Sequence, residues 1–165
     1  VLELFAHHYE TGETLPNVLL EKIKKSKNFR SGSNCLRQLT FGYLDMAWYG
    51  MDNQVEDVSE FEKKAIEKTK LLPDDTPNAS ISTMFSHIFA GGYSAGYYSY
   101  KWAEVLDADA FEKFKEEGIF NKETAKSFRD NILSQGNIKH PMELYKSFRG
   151  REPQLGALLK REGLL

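Results

Sequence analysis

The chain has 165 residues, 41% of them hydrophobic and 28% charged, which excludes a disordered polar segment and suits one hydrophobic core. Its net charge of −2 supplies no basic field for a nucleic-acid backbone or an anionic membrane, so neither partner is expected. Cys35 is the one cysteine, which rules out an internal disulfide and a multi-thiolate metal site.

Apolar residues recur at three and four positions rather than two, so the expected class is all-α, one helical unit over residues 1–165. The opening run of Val1, Leu2, Leu4, Phe5 and Ala6 reads as the last turns of a helix entered midway, as in a processed or truncated chain. Pro16 suits the first turn of a helix reaching Lys27. A second helix is expected over residues 34–49, with Leu36, Leu39, Tyr43, Leu44, Ala47 and Trp48, stopped by Gly50. Ser59 and Glu62 fit a capping box, followed by a charge-rich, solvated helix face over residues 60–70. The proline and aspartate run at residues 73–79 is a surface loop within one unit.

A long helix is expected over residues 93–114, and Asn121 caps the next, which holds Ala125, Phe128, Ile132 and Leu133 and ends near Gly136. Pro141 and Pro153 each open a further helix, with Gly150 and Gly163 as ends. On a helix of about 3.6 residues per turn, Tyr93, Tyr97 and Tyr100 share one side, continued by Glu104, Asp107 and Phe111. Tyr98, Trp102, Val105 and Leu106 fall opposite, on a face of core composition. Three phenols in a row demand hydrogen-bond partners, and Gly91, Gly92 and Gly96 beside them let a ligand approach the backbone.

An extended peptide matches phenolic hydroxyls and glycine amides better than a phosphate does, since no Gly-Lys-Ser/Thr ending is present. His87 can donate to a carbonyl and a protonated tyrosine can donate to an oxyanion, but neither generates a nucleophile readily. His7, His8 and His140 form no metal-ligand spacing with His87, and no His-Glu-x-x-His occurs. The residues alone favour packing contacts for His87 and most of the tyrosines, and a buried hydrophobe's role for Cys35.

Residues 87–102, His-Ile-Phe-Ala-Gly-Gly-Tyr-Ser-Ala-Gly-Tyr-Tyr-Ser-Tyr-Lys-Trp, resemble the carboxy-terminal signature of the thimet oligopeptidase family of zinc metallopeptidases. The resemblance continues through residues 103–111, 128–136 and 148–159, and includes residues 8–13, 36–39 and 44–48. It implies that His87 contacts substrate near the scissile bond and that Tyr93 and Tyr100 bind substrate and stabilise the oxyanion. It makes Tyr97 part of the cleft wall and residues 90–96 a loop that adjusts to peptide.

The family's zinc ligands and general-base glutamate precede the segment that Val1 to Tyr9 resembles. The chain is therefore expected to be the C-terminal part of a longer enzyme, inactive and without metal when alone. Its expected partners are an oligopeptide substrate, the missing N-terminal part of the same chain, and further copies of itself. Tyr49 stands where the family often has histidine, Gly136-Asn137 replaces a frequent Gly-Gly, and the 139–141 segment lacks the usual acidic tract. The look of residues 96–98 and 133–137 leans toward peptidyl-dipeptidase over endopeptidase, and the family points to the cytoplasm. A non-catalytic helical peptide-binding module and a structural remnant with packed phenols are the competing readings.

Overall fold

A computed structural model describes residues 2–73 and 76–165. Eight α-helices account for most of the described residues, with no strand among them: α1 (Asn17–Lys27), α2 (Ser31–Tyr49), α3 (Val58–Ile66), α4 (Ile81–Met84), α5 (Ser99–Glu117), α6 (Lys122–Phe128), α7 (Pro141–Arg149) and α8 (Gly156–Arg161). The chain is all-α. Val1 and the acidic pair expected in the 73–79 loop, Asp74 and Asp75, lie outside the described residues.

Helix starts and stops follow local chemistry in several places. Pro16 stands immediately before α1, and Gly50 ends α2 with its N–H on the Met46 carbonyl at 2.9 Å. Asn121 caps α6 by accepting the N–H groups of Glu123 and Thr124 at 2.9 and 3.3 Å. α6 runs on into a π-helical turn, Arg129–Leu133, whose wider ring shows in the Ser134 N–H bonding the Arg129 carbonyl at 2.9 Å. Gly150, at φ 82°, closes α7 in the left-handed conformation that glycine adopts without a Cβ clash.

Four expectations need correction. The opening run is a single 3-10 turn, Leu2–Leu4, with Leu4 and Phe5 exposed. Asp57, not Ser59, caps α3, accepting the N–H groups of Ser59 and Glu60 at 2.8 and 3.0 Å. Glu62 then points into the protein instead of back along its own helix, so residues 60–70 are not a wholly solvated face: Glu62 and Thr69 are buried. Pro153 lies ahead of α8, which starts at Gly156. At α3 the better acceptor two residues earlier, Asp57, took the cap, and Glu62 was drawn to the donors of residues 80–82.

The core forms around α5. Val105 and Ala108 pack on Leu158 of α8, while Ala110 packs on Tyr145 and Phe148 of α7, with Leu106, Phe114, Phe128 and Ile132 against them. Phe114, Phe128 and Phe148 contact edge to face or tilted, with centroids 5.1–6.0 Å apart. Buried Asp109 ties the far side together: Arg151 donates to both its oxygens at 2.6 and 2.9 Å, and the Tyr145 hydroxyl donates to one at 2.6 Å. The Ser31 hydroxyl donates to the Glu162 carbonyl at 2.7 Å, joining the start of α2 to the end of α8.

Candidate active-site face

The expected helix over residues 93–114 is overturned at its start. α5 begins at Ser99, and residues 94–98 are a series of turns. Gly91 and Gly92 both lie at φ 79° and Ala95 at φ 56°, left-handed conformations that a right-handed helix cannot contain. The Gly96 N–H bonds the Tyr93 carbonyl at 2.9 Å, and the Ser99 N–H bonds the Gly96 carbonyl at 3.0 Å. Gly96 therefore has no free amide for a ligand, contrary to the expectation. Gly91 and Gly92 are exposed, and their N–H groups donate to no acceptor among the described residues.

The phenols converge nonetheless, by the path of the turns and not by helical phase. Tyr100 lies against both neighbours, its ring 5.7 Å from that of Tyr93 and 5.2 Å from that of Tyr97. The His87 ring lies 5.2 Å from Tyr93 and 6.2 Å from Tyr97, and stacks on Phe85 at 4.8 Å. Tyr98 and Trp102 do not enter the core: they are 55% and 46% exposed. The loss of helical phase before Ser99 turns Tyr98 outward, and Trp102 instead borders a separate groove. Among the carboxylates placed on the tyrosine side, Glu104 pairs with Lys101 and Asp107 with Arg161.

Behind this face stands α2. Gln38, Phe41, Asp45 and Tyr49 lie three or four residues apart on one stripe, and each touches the 85–97 segment. The Tyr97 hydroxyl donates to Gln38 Oε1 at 3.2 Å. Phe41 stacks on Phe85 at 4.1 Å and meets the edge of Tyr97 at 5.7 Å. Asp45 is wholly buried, and its two oxygens accept the N–H groups of Ala95 and Tyr97 at 2.9 and 3.0 Å. The Tyr49 hydroxyl donates to the Ile88 carbonyl at 2.6 Å, next to His87. Sequence reasoning passed over Gln38 and Asp45 and took Tyr49 only as a departure from pattern. The available signal was an acidic residue one turn from both Phe41 and Tyr49 on one helical stripe.

Electrostatics favour protonated phenols. Tyr100 is raised above the ordinary tyrosine range, first by its hydrogen bond with Tyr93, then by burial and by the adjacent phenols. Burial raises Tyr97, against the positive charge of Arg37. Both remain O–H donors through the neutral range. Burial also pushes the Cys35 thiol up, which disfavours the thiolate that a nucleophile requires. Among the described residues, no three His, Cys, Asp or Glu side chains are grouped to hold a metal ion.

Away from this face, a concavity of about 480 Å³ lies along α5, where Trp102, Leu106, Phe111, Phe128 and Met142 line an apolar groove. None of the expected site residues reaches it.

The model of peptidase family M3 matches residues 1–164. The chain is 50% identical to oligopeptidase A of Haemophilus influenzae and 49% identical to oligopeptidase A of Escherichia coli, in each case over 99% of this chain and 24% of the relative. It is 37% identical to dipeptidyl carboxypeptidase of Salmonella typhimurium, again over 99% of this chain and 24% of the relative. It thus spans about a quarter of the length of these curated relatives. The match takes in the aromatic face, its α2 support and the α5 core alike, and the chain belongs to peptidase family M3.

Proposed function

We propose that this chain supplies the substrate-binding and oxyanion-stabilising face of a peptidase that hydrolyses oligopeptides. The observation that carries the reading is the convergence of His87, Tyr93, Tyr97 and Tyr100 on one accessible aromatic cluster beside the unengaged amides of Gly91 and Gly92. In this reading the Gly91 and Gly92 N–H groups pair with the carbonyls of an extended peptide. A His87 ring N–H donates to the carbonyl near the scissile bond. Tyr100 donates its hydroxyl proton to the oxygen that becomes negative in the tetrahedral intermediate, and the Tyr93 ring, 5.7 Å away, holds the Tyr100 ring in place. Tyr97, held by Gln38, forms the wall.

The full-length enzyme uses zinc, which supplies the activated water in such peptidases. Its ligands and the general base belong to the N-terminal part of the same protein, so this chain alone is inactive. The higher identity to relatives named oligopeptidase A favours that activity over peptidyl-dipeptidase. Two Arabidopsis thaliana relatives, each 45% identical, are named for a cytosolic and for an organellar oligopeptidase A, so the cytoplasmic location rests on the family resemblance alone. No helix among the described residues is long and apolar enough to cross a membrane.

The test is peptide hydrolysis by the full-length protein. Cleavage of an unstructured oligopeptide, abolished by a chelator and restored by zinc, is expected. Binding without cleavage would favour a helical peptide-binding module, and neither binding nor cleavage would leave a structural remnant. Alone, the 165-residue chain should keep no stoichiometric zinc after dialysis and cleave nothing.

A further inference from the structure

We propose that Asp45 is the positioning residue of the tyrosine face, holding the phenols in register through the backbone of the turn that carries them. The inference rests on the peptidase reading above, and adds to it a residue that touches none of the rings.

Asp45 is fully buried, and among the described residues no lysine or arginine lies within ion-pairing distance of it. A buried carboxylate without a counter-charge is costly unless donors surround it. Its donors come from one place, the amides of Ala95 and Tyr97 at 2.9 and 3.0 Å. Those amides flank Gly96, whose own N–H closes the turn on the Tyr93 carbonyl at 2.9 Å. Tyr93 is thus fixed at the entry of the turn and Tyr97 at its exit. The Tyr100 N–H bonds the Tyr97 carbonyl at 3.3 Å, so the start of α5 inherits the same alignment.

The turn would not hold this path unaided. Ala95 sits at φ 56°, a left-handed conformation disfavoured for an alanine. The carboxylate pins a conformation that the local sequence does not prefer, and α2 provides the rigid element from which it does so. The neighbouring contacts of α2 act on side chains or on the other arm: Gln38 on the Tyr97 hydroxyl, Tyr49 on the Ile88 carbonyl. Asp45 is the contact that sets where the tyrosine backbone lies.

The experiment compares Asp45→Asn, Tyr100→Phe and Tyr145→Phe in the zinc-loaded full-length enzyme. In Asp45→Asn one acceptor becomes an NH2 group facing an N–H, so one arm of the turn is released. The expected result is a fall in kcat on the order of 10- to 100-fold, the scale of a misplaced catalytic group, with KM changed by less than about threefold. Hydrogen exchange at the Ala95 and Tyr97 amides should accelerate, while exchange in the α5 core stays as in the parent. Tyr145→Phe loosens the Asp109 cluster, away from the turn, and controls for loss of stability: it should lower the thermal midpoint and leave kcat unchanged.

If Tyr100→Phe lowers kcat but Asp45→Asn does not, or does so without faster exchange at residues 95 and 97, the inference on Asp45 is overturned and the functional reading stands. If Tyr100→Phe leaves kcat intact, the functional reading fails and takes the inference with it. Should Asp45→Asn not fold, Ala95→Val reads the same turn, because a β-branched residue is disfavoured at a positive φ far more than alanine and so loosens the turn while Asp45 stays in place. A severalfold loss of kcat at constant KM is then expected, and an unchanged kcat overturns the inference.

Discussion

One oxygen of the buried Glu62 carboxylate accepts both the backbone N–H and the hydroxyl of Ser82, at 2.9 and 2.8 Å. The Ser80 hydroxyl donates to the same oxygen at 2.9 Å, and the Ile81 N–H to the other at 2.7 Å. α4 is one turn long and has no side-chain cap of its own at Ser80. α3 therefore supplies, from a distant part of the chain, the acceptor that a local cap would normally give. Glu62→Ala should strand the Ile81 and Ser82 amides and destabilise the chain by about 1–3 kcal/mol in a denaturant titration.

The same contact makes a pH prediction. Burial would raise the Glu62 carboxyl, but the donors on Ser82, Ile81 and Ser80 outweigh it, and its pKa falls below the usual glutamate value. A depressed folded-state pKa contributes stability above the unfolded value, about 4.3, and that stability is lost as pH falls through the folded one. Unfolding free energy should thus decline below about pH 4.3 in the parent and less steeply in Glu62→Gln. Equal slopes in chemical denaturation series would contradict this.

Asp109 is lowered despite its burial, by hydrogen bonds from Arg151 and Tyr145. Removing a partner leaves the carboxylate buried and under-compensated. Arg151→Ala should cost about 3–5 kcal/mol, and Tyr145→Phe about 1–2 kcal/mol, since Arg151 is retained in the second case. Tyr145 itself is pushed well above the tyrosine range, by burial first and then by Asp109. An ultraviolet titration should show one phenol that resists ionisation under alkali until the chain unfolds.

Tyr100→Phe in the full-length enzyme should lower kcat by about 10²–10³ with a smaller change in KM, because an oxyanion donor gains strength as charge develops. Its raised pKa places the loss of this donor above the ordinary tyrosine value of about 10, so an alkaline limb due to Tyr100 should begin above it. The pH profile of kcat checks the sign. An unchanged turnover with weaker binding would make Tyr100 a wall only.

The groove along α5, with Trp102 and Phe111 46% and 48% exposed, leaves apolar surface open in this 165-residue chain, as do Leu4 and Phe5. Contiguous apolar patches of this kind favour association. Sedimentation of the 165-residue chain should show mass rising with concentration, and Phe111→Glu should reduce it. The exposed Lys64–Glu60 pair on α3 should lie outside the contact, because burying it would offset the gain. A monomer at every concentration would show that these faces are too dispersed to associate.

Periodicity, glycines and prolines were enough to read an all-α chain, the ends of α1 and α7, the stop of α2 and the cap of α6, and the cluster of His87 and tyrosines as the candidate site. These are local properties: a helical stripe, a cap such as Asn121 and a stop such as Gly150 depend on neighbours within a few residues. The arrangement of the tyrosines was not of that kind. A helix from Tyr93 was the natural local reading, and it failed because Asp45, fifty residues earlier, takes the amides of Ala95 and Tyr97 and holds them in a turn. Glu62 likewise had a local role as a capping-box partner and was drawn across to α4. Buried carboxylates seek the densest set of donors within reach, and that set exists only once separate helices have been brought together. The residue types of the site were therefore legible in the sequence, while their mutual placement was decided by the tertiary fold.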